Sequence, residues 1–270
     1  MALLQYGNKN VDDRFSPLVE PNLFDNAVFQ PGLTFTDKYQ IGPAGQILVH
    51  KLGKVTVTAS TPGSDFSNTD TADTVITISL DKAFQRSEKI YNAVANTVAY
   101  AAAAGQMEQA LADVREGWQK VAATELETTT TVSAATTTAI TATNVYDIIV
   151  DDRKVLVDNG ANPDTIIVSP AVFAALLKSD EFQRTGTIGD QVVANGNVGR
   201  IAGMNVLEYQ GMAAATDYLM YDKDAMSIVS AVNMMRLKDS EVFNGTLAQV
   251  EIVSGFQVTN VERVLKKLNV

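Results

Sequence analysis

Apolar positions change their period several times along the 270-residue chain, and each change marks a predicted element. Residues 1–43 hold Pro17, Pro21, Pro31 and Pro43 among apolar side chains such as Leu18, Leu23, Phe24, Val28 and Phe29, with no sustained period. That texture predicts an extended arm, and an arm this apolar needs a surface to lie on, either its own domain or another chain. From Gln46 the pattern alternates: Ile47 and Val49 against Leu48 and His50, then Val55, Val57 and Ala59 against Thr56, Thr58 and Ser60. Turn-forming residues fill Ser60 to Asp73, after which Ile76, Ile78 and Leu80 share one face. Together these segments predict a long projecting β-hairpin with a loose tip.

A period of three and four follows, with Met107, Leu111, Val114, Trp118 and Val121 on one side and charged or amide residues opposite, predicting an amphipathic helix over about 92–126. Gly105 and Gly117 weaken its expected continuity. Threonine makes up ten of the twenty residues from Thr124 to Thr143, which reads as an exposed linker or surface strand. Asn144 is placed to cap a second helix carrying Val145, Ile148, Ile149, Val155 and Leu156, with Gly160 as its stop. Thr165–Val168 predicts a short buried strand, and Ser169-Pro170 supplies the cap and first-turn proline of a helix through Leu177. Strands are expected at Asn205–Tyr209, Tyr218–Tyr221 and Met226–Val229. Met234–Phe243 and Leu247–Val258 flank Asn244-Gly245, a strong hairpin signal.

Composition narrows the chemistry. The chain is 46% apolar and 19% charged, which suffices for a sizeable core or two smaller ones. Its 31 acidic and 21 basic residues leave a net charge of −10, unsuited to broad phosphate neutralisation, so any contact with DNA is expected to be local and non-specific. No cysteine is present, which removes disulfides and thiolate chemistry. No apolar run approaches the length of a membrane span, and the N-terminus lacks the features of a secretory signal, so no membrane partner is expected. The single histidine, His50, sits in a predicted strand and reads as a surface residue. Asp151-Asp152 precedes Arg153 and Lys154 and reads as a solvated helix face. Asp222 and Asp224 fit a turn better than a calcium loop, and Gly196–Gly203 fits a tight turn better than a nucleotide fingerprint. Asn244-Gly245-Thr246 matches a glycosylation acceptor, with nothing to mark the chain as secreted. The residues thus supply no catalytic, cofactor or metal site, and an enzyme is not expected.

Two blocks carry a family resemblance: Ile166–Lys178, reading Ile-Ile-Val-Ser-Pro-Ala-Val-Phe-Ala-Ala-Leu-Leu-Lys, and Asn195–Val206, reading Asn-Gly-Asn-Val-Gly-Arg-Ile-Ala-Gly-Met-Asn-Val. In this order, with the hairpin around Gly53–Val57 and Thr61–Gly63 and the helix after it, the chain resembles the Hong Kong 97-type (HK97-like) major capsid proteins of tailed bacteriophages over about residues 33–260. The resemblance implies an α+β fold with an N-terminal arm (1–32), an extended β-hairpin loop (33–85), a peripheral domain with a long spine helix (86–139 and 232–270) and an axial domain (140–231). It implies a homo-oligomer of pentamers and hexamers closing into an icosahedral head around double-stranded DNA, assembled in the bacterial cytoplasm, with portal and decoration proteins as further partners. Lys51, Lys54, Pro62, Asp65, Phe66, Phe24 and Phe29 are the expected inter-subunit contacts. The strand region begins by about residue 46, which leaves no room for a cleavable scaffolding segment and, with Met1, implies a separate scaffolding protein. An encapsulin-like compartment shell or another virion component is the alternative.

Overall fold

A computed structural model describes residues 28–36, 38–39, 46–52, 59, 61–63, 73–179 and 199–269. Strand β1 (Gln46–Leu52) pairs antiparallel with β2 (Asp73–Ser79), forming the base of the expected hairpin. After β3 (Lys82–Tyr91), helix α1 runs from Asn92 to Thr129, 38 residues or about 57 Å. It passes through Gly105 and Gly117 unbroken and ends later than the apolar period suggests. The hydroxyls of Thr124 and Thr128 return hydrogen bonds to the carbonyls of Lys120 and Thr124, both at 2.8 Å, so these threonines satisfy themselves within the helix. Strand β4 (Val132–Ser133) interrupts an otherwise irregular strap leading to helix α2 (Val145–Asp158). Then follow β5 (Thr165–Val168), helix α3 (Pro170–Leu177), β6 (Arg200–Ile201), β7 (Met204–Glu208), β8 (Thr216–Tyr221), β9 (Met226–Asp239), β10 (Gly245–Val258) and β11 (Val264–Leu268).

Two sheets form the body. The first has the order β3-β10-β9 and is antiparallel throughout. The second has six strands in the order β4-β11-β8-β5-β7-β6, with β5–β7 and β11–β4 parallel. Consecutive residues of its central strands point into two different cores. Ile167, Leu219, Tyr221 and Val264 join Trp118, Ala122 and Leu126 of α1. Ile166, Val168, Tyr218, Met220 and Leu265 join Val145, Ile149 and Leu156 of α2 and Val172 and Leu176 of α3. Helices cover both faces, which is why β5 and β8 are buried at every residue. Along α1, Leu111 and Val114 are buried, Trp118, Ala122 and Leu126 enter the first core, and Trp118 donates its indole N–H to Ser254 on β10 at 2.9 Å.

Several expectations need correction. Met226–Val229 and Met234–Phe243 were expected as separate strands, whereas β9 is continuous, with a register shift opposite Glu251/Ile252 that leaves Asn233 unpaired. Asn244-Gly245 is not a two-residue turn. Ser240–Asn244 forms the loop, closed by Ser240 Oγ accepting from the amides of Val242 and Phe243, both at 3.2 Å. Gly245 already lies in β10, where a Cβ would come within 2.1 Å of the Ile90 carbonyl oxygen. Asn144 does not cap α2: its side chain accepts from Thr141 N–H at 2.7 Å and donates to Ala139 C=O at 3.0 Å, closing the turn before the helix. Ser169 caps α3 as expected, accepting from Val172 N–H, and Gly160 (φ +78°) follows the end of α2. Two elements lie across the expected domain divisions. β9 runs straight through 231/232, and β11 belongs to the six-stranded sheet, although 232–270 was grouped with the spine helix. Phe35 and Thr36, grouped with the extended loop, are buried beside β9, with Thr36 bridging Ser227.

Candidate assembly surfaces

The alternation in β1 and β2 produces two unlike faces. Ile47 stands opposite Ile78 and Val49 opposite Ile76 on the partly buried face, and Ile78 at its root is 2% exposed. On the other face Leu48 pairs with Thr77 and His50 with Val75, and here Leu48 (59%) and Val75 (49%) are among the most exposed large apolar side chains described. Two branched aliphatic groups turned to solvent on one hairpin face are an unusual exposure for a strand pair. His50 Nδ1 lies 2.8 Å from Asp73 Oδ2, and both side chains are solvent-exposed, so the histidine is the surface residue expected of it.

Of the expected contact residues, Lys51 is exposed on β1 opposite Thr74, and Pro62 is exposed in a turn with Gly63 at φ +95°. Lys54, Asp65, Phe66 and Phe24 lie outside the described residues. Phe29 is fully buried in the core of this chain, edge-on to Tyr209 at 6.1 Å between ring centroids. Gln119 holds the adjoining backbone there by accepting from Val28 N–H at 2.8 Å. This part of the arm uses its own domain as its surface, and Phe29 has no area left for a neighbour.

A second exposed apolar group sits at the end of the β3-β10-β9 sheet. Tyr91 and Phe243 stack at 5.1 Å between centroids, Lys89 Nζ lies 5.6 Å from the Phe243 ring, and Val242 at the loop apex is 95% exposed.

The buried polar groups hold backbone instead of preparing chemistry. Asp152, expected on a solvated face, is the clearest miss: Asp151 beside it is exposed, but Asp152 is fully buried. Its Oδ1 accepts from Ala135 N–H at 2.6 Å and its Oδ2 from the Tyr218 hydroxyl, while the buried Lys267 donates to Thr136 C=O. These contacts pin the threonine-rich strap to the six-stranded sheet. The alternation of charge Asp-Asp-Arg-Lys masked this, although Ile148, Asp152 and Val155 do fall on one helical face at spacings of four and three. Burial pushes the Asp152 carboxyl above the ordinary carboxylate range, and the same first cause acts on Asp164 and Asp217. Asp164 accepts from Lys223 N–H and the Thr165 hydroxyl, each at 3.0 Å. Burial likewise pushes the Tyr209 phenol up to about 12, with Glu116 and Glu127 adding to the rise. Asp222 pairs with Arg263 at 3.1 Å and Asp224 with Lys38 at 2.8 Å around the short 3-10 turn Lys223–Ala225, the turn that the sequence predicts. Among the described residues no cluster of three or more His, Asp or Glu side chains is arranged to hold a metal ion, and no helix is long and apolar enough to cross a membrane.

No family profile and no curated protein matches the sequence. Solved structures do. The chain superposes on the capsid structure of cyanophage P-SCSP1u with a TM-score of 0.68, at 13% identity over 92% of each chain. A structure from Mycobacterium phage Che8 gives 0.67 at 16% identity, covering 83% of this chain and 84% of that one. The mature capsid of bacteriophage PhiM1 gives 0.60 at 12% identity, covering 89% and 90%. At such identities what is shared is the fold. The chain therefore carries, over most of its length, the mixed α and β fold found in phage capsids.

Proposed function

We propose that this chain is the major structural subunit of a phage head, assembling as pentamers and hexamers into an icosahedral shell around double-stranded DNA. The observation that carries the reading is the likeness to phage capsid structures over most of both chains. A hairpin that turns Leu48 and Val75 outward gives that reading a physical means, because each subunit then offers apolar area that only a neighbour can cover. Closed symmetry makes many moderate contacts collectively strong, so no single interface needs high affinity. In this proposal the arm and hairpin reach neighbouring subunits, with Lys51, Lys54, Pro62, Asp65, Phe66 and Phe24 as contact residues. Helix α1 and the three-stranded sheet form the peripheral frame, and the six-stranded sheet with α2 and α3 faces the five-fold and six-fold centres. The net charge of −10 suits an inner wall that holds DNA without gripping it. A separate scaffolding protein, a portal and decoration proteins complete the proposed partners, with assembly in the bacterial cytoplasm.

The test is expression of the full chain in bacteria, with and without its neighbouring structural genes, followed by gradient sedimentation and electron microscopy. Closed particles are expected. A monomer or small ring under every condition would sink the proposal.

A further inference from the structure

Among the described residues, the β2 end of the hairpin meets the body of the chain beside Gly255. The β3–β10 ladder ends at the pair Lys82↔Ser254, and the next residue of β10, Gly255, pairs only on its other side, with Val229. Leu80 and Asp81 join β2 to β3 above it. A Cβ on residue 255 would stand 2.2 Å from the Ser79 carbonyl oxygen, 2.9 Å from its carbonyl carbon and 3.4 Å from Leu80 N. All three atoms are backbone, so no side-chain rotation could relieve the overlap. Gly255 does not have a positive φ, so this glycine answers to space alone and not to backbone conformation. The nearby Ile78 is the one fully buried residue of β2, and from Thr77 back to Asp73 every residue is exposed except the half-buried Ile76.

From this crossing we propose that Gly255 is the fulcrum of the hairpin: its missing side chain sets the angle at which β1–β2 projects, and thereby which surface of a neighbouring subunit the hairpin meets. Gly255 is a positioning residue in this scheme and touches no neighbour itself. The second half of the statement rests on the shell-subunit reading above; the first half does not. Its leverage follows from the strand geometry. Relieving the overlap lifts Ser79 by about 1 Å, roughly 10 Å from the last fixed pair at Lys82, and the same tilt carried to Asp73 becomes about 3 Å. Interfaces that must close a symmetric shell tolerate such re-aiming poorly, because the error repeats at every subunit.

The absence of cysteine allows two labels to be placed uniquely, at Thr74→Cys on the hairpin and Glu262→Cys on the body, both exposed positions. In the full-length chain, spin-label distances between them are measured with and without Gly255→Ala, and particle yield and diameter are read in parallel by sedimentation and electron microscopy. The expected result is a shift of about 3 Å or a clear broadening of the distance distribution, with a several-fold fall in regular particles and Trp118 fluorescence still native. Leu80→Gly, which loosens the same joint without a wedge, serves if the alanine variant does not fold, and is expected to broaden the distribution and lower the yield. An unchanged distance in the variants that fold overturns the fulcrum, and a shifted distance with unchanged particles overturns its part in choosing the neighbouring surface. If the unsubstituted chain forms no particles at all, the shell reading fails, and the distance measurement still decides whether Gly255 aims the hairpin.

Discussion

Asp152→Ala would strand two buried donors together, the Ala135 amide and the Tyr218 hydroxyl, and would remove one of the two carboxylates, with Asp217, whose charge acts on the buried Lys267. Each buried donor without a partner costs about 1–3 kcal/mol. Removing a poorly solvated carboxylate returns part of that, so the expected loss is about 3 kcal/mol. Asp152→Asn keeps an oxygen for Ala135 and can donate to the Tyr218 oxygen, so its loss should be about 1 kcal/mol. The pH response has a definite sign. Burial is the leading influence and raises the Asp152 pKa, against the hydrogen bonds from Tyr218 and Ala135 and the charge of Lys267, while Asp151 adds to the rise. A native value above the unfolded one means that the folded chain takes up this proton first. Ionisation at neutral pH therefore weighs against the fold, and that burden is relieved as pH falls from the native value toward the unfolded value of about 3.9. Urea unfolding of unassembled subunits, followed by the single tryptophan, Trp118, at pH 7 and pH 4.5 measures all of this. Wild type should gain on Asp152→Asn as the pH drops. A wild type that loses ground to the asparagine variant on acidification would refute the argument, as would an alanine variant as stable as the asparagine one.

Trp118→Phe removes the donor to Ser254 and leaves a void between Phe35 and Phe256; calorimetry of the unassembled subunit should show a loss of about 2 kcal/mol. Gly245→Ala forces a methyl group onto the Ile90 carbonyl and the Phe243 ring and should cost about 2–3 kcal/mol in the same measurement, whereas a simple turn glycine with positive φ would lose only about 1. Leu48→Asp combined with Val75→Asp should leave the melting temperature within about 2 °C while abolishing particles, since both side chains already face water in the subunit. Particles at the normal yield would remove the hairpin from the proposed interface. His50→Ala should change stability by less than about 0.5 kcal/mol in the same calorimetry, because its pairing with Asp73 is open to solvent.

Periodic segments of the sequence were legible wherever one face alone was buried. Helix α1 followed from Leu111, Val114 and Trp118, and the hairpin from the alternation at Gln46–Val49 and Val75–Leu80. Local punctuation was less dependable. Asn144 and Asn244-Gly245 both carry strong turn chemistry, yet tertiary neighbours assigned Asn144 to the Thr141 turn and placed Gly245 where Ile90 leaves no room for a side chain. Asp152 was hidden for a related reason: its partners Ala135 and Tyr218 lie 17 and 66 residues away, and no local pattern announces an acceptor for a distant amide. The proposed contacts with neighbouring subunits leave still less trace, because an exposed Leu48 in an isolated chain reads like any other exposed leucine until the hairpin's register is known.

The two cores meet through shared strands, and this separates stability from assembly. β5, β8 and β11 send alternate residues to α1 on one side and to α2 and α3 on the other, so the frame and the layer behind it cannot move apart without breaking one sheet. The β1–β2 hairpin contributes little to either core, with Ile78 as its one buried side chain on β2 and the backbone of Ser79 and Leu80 lying against Gly255. Substitutions in the shared strands should therefore register first in unfolding, and substitutions along the hairpin first in particle formation. Gly255 lies where the two meet, on a core strand but beneath the joint, and is the position where a change of one methyl group should alter assembly more than it alters the fold.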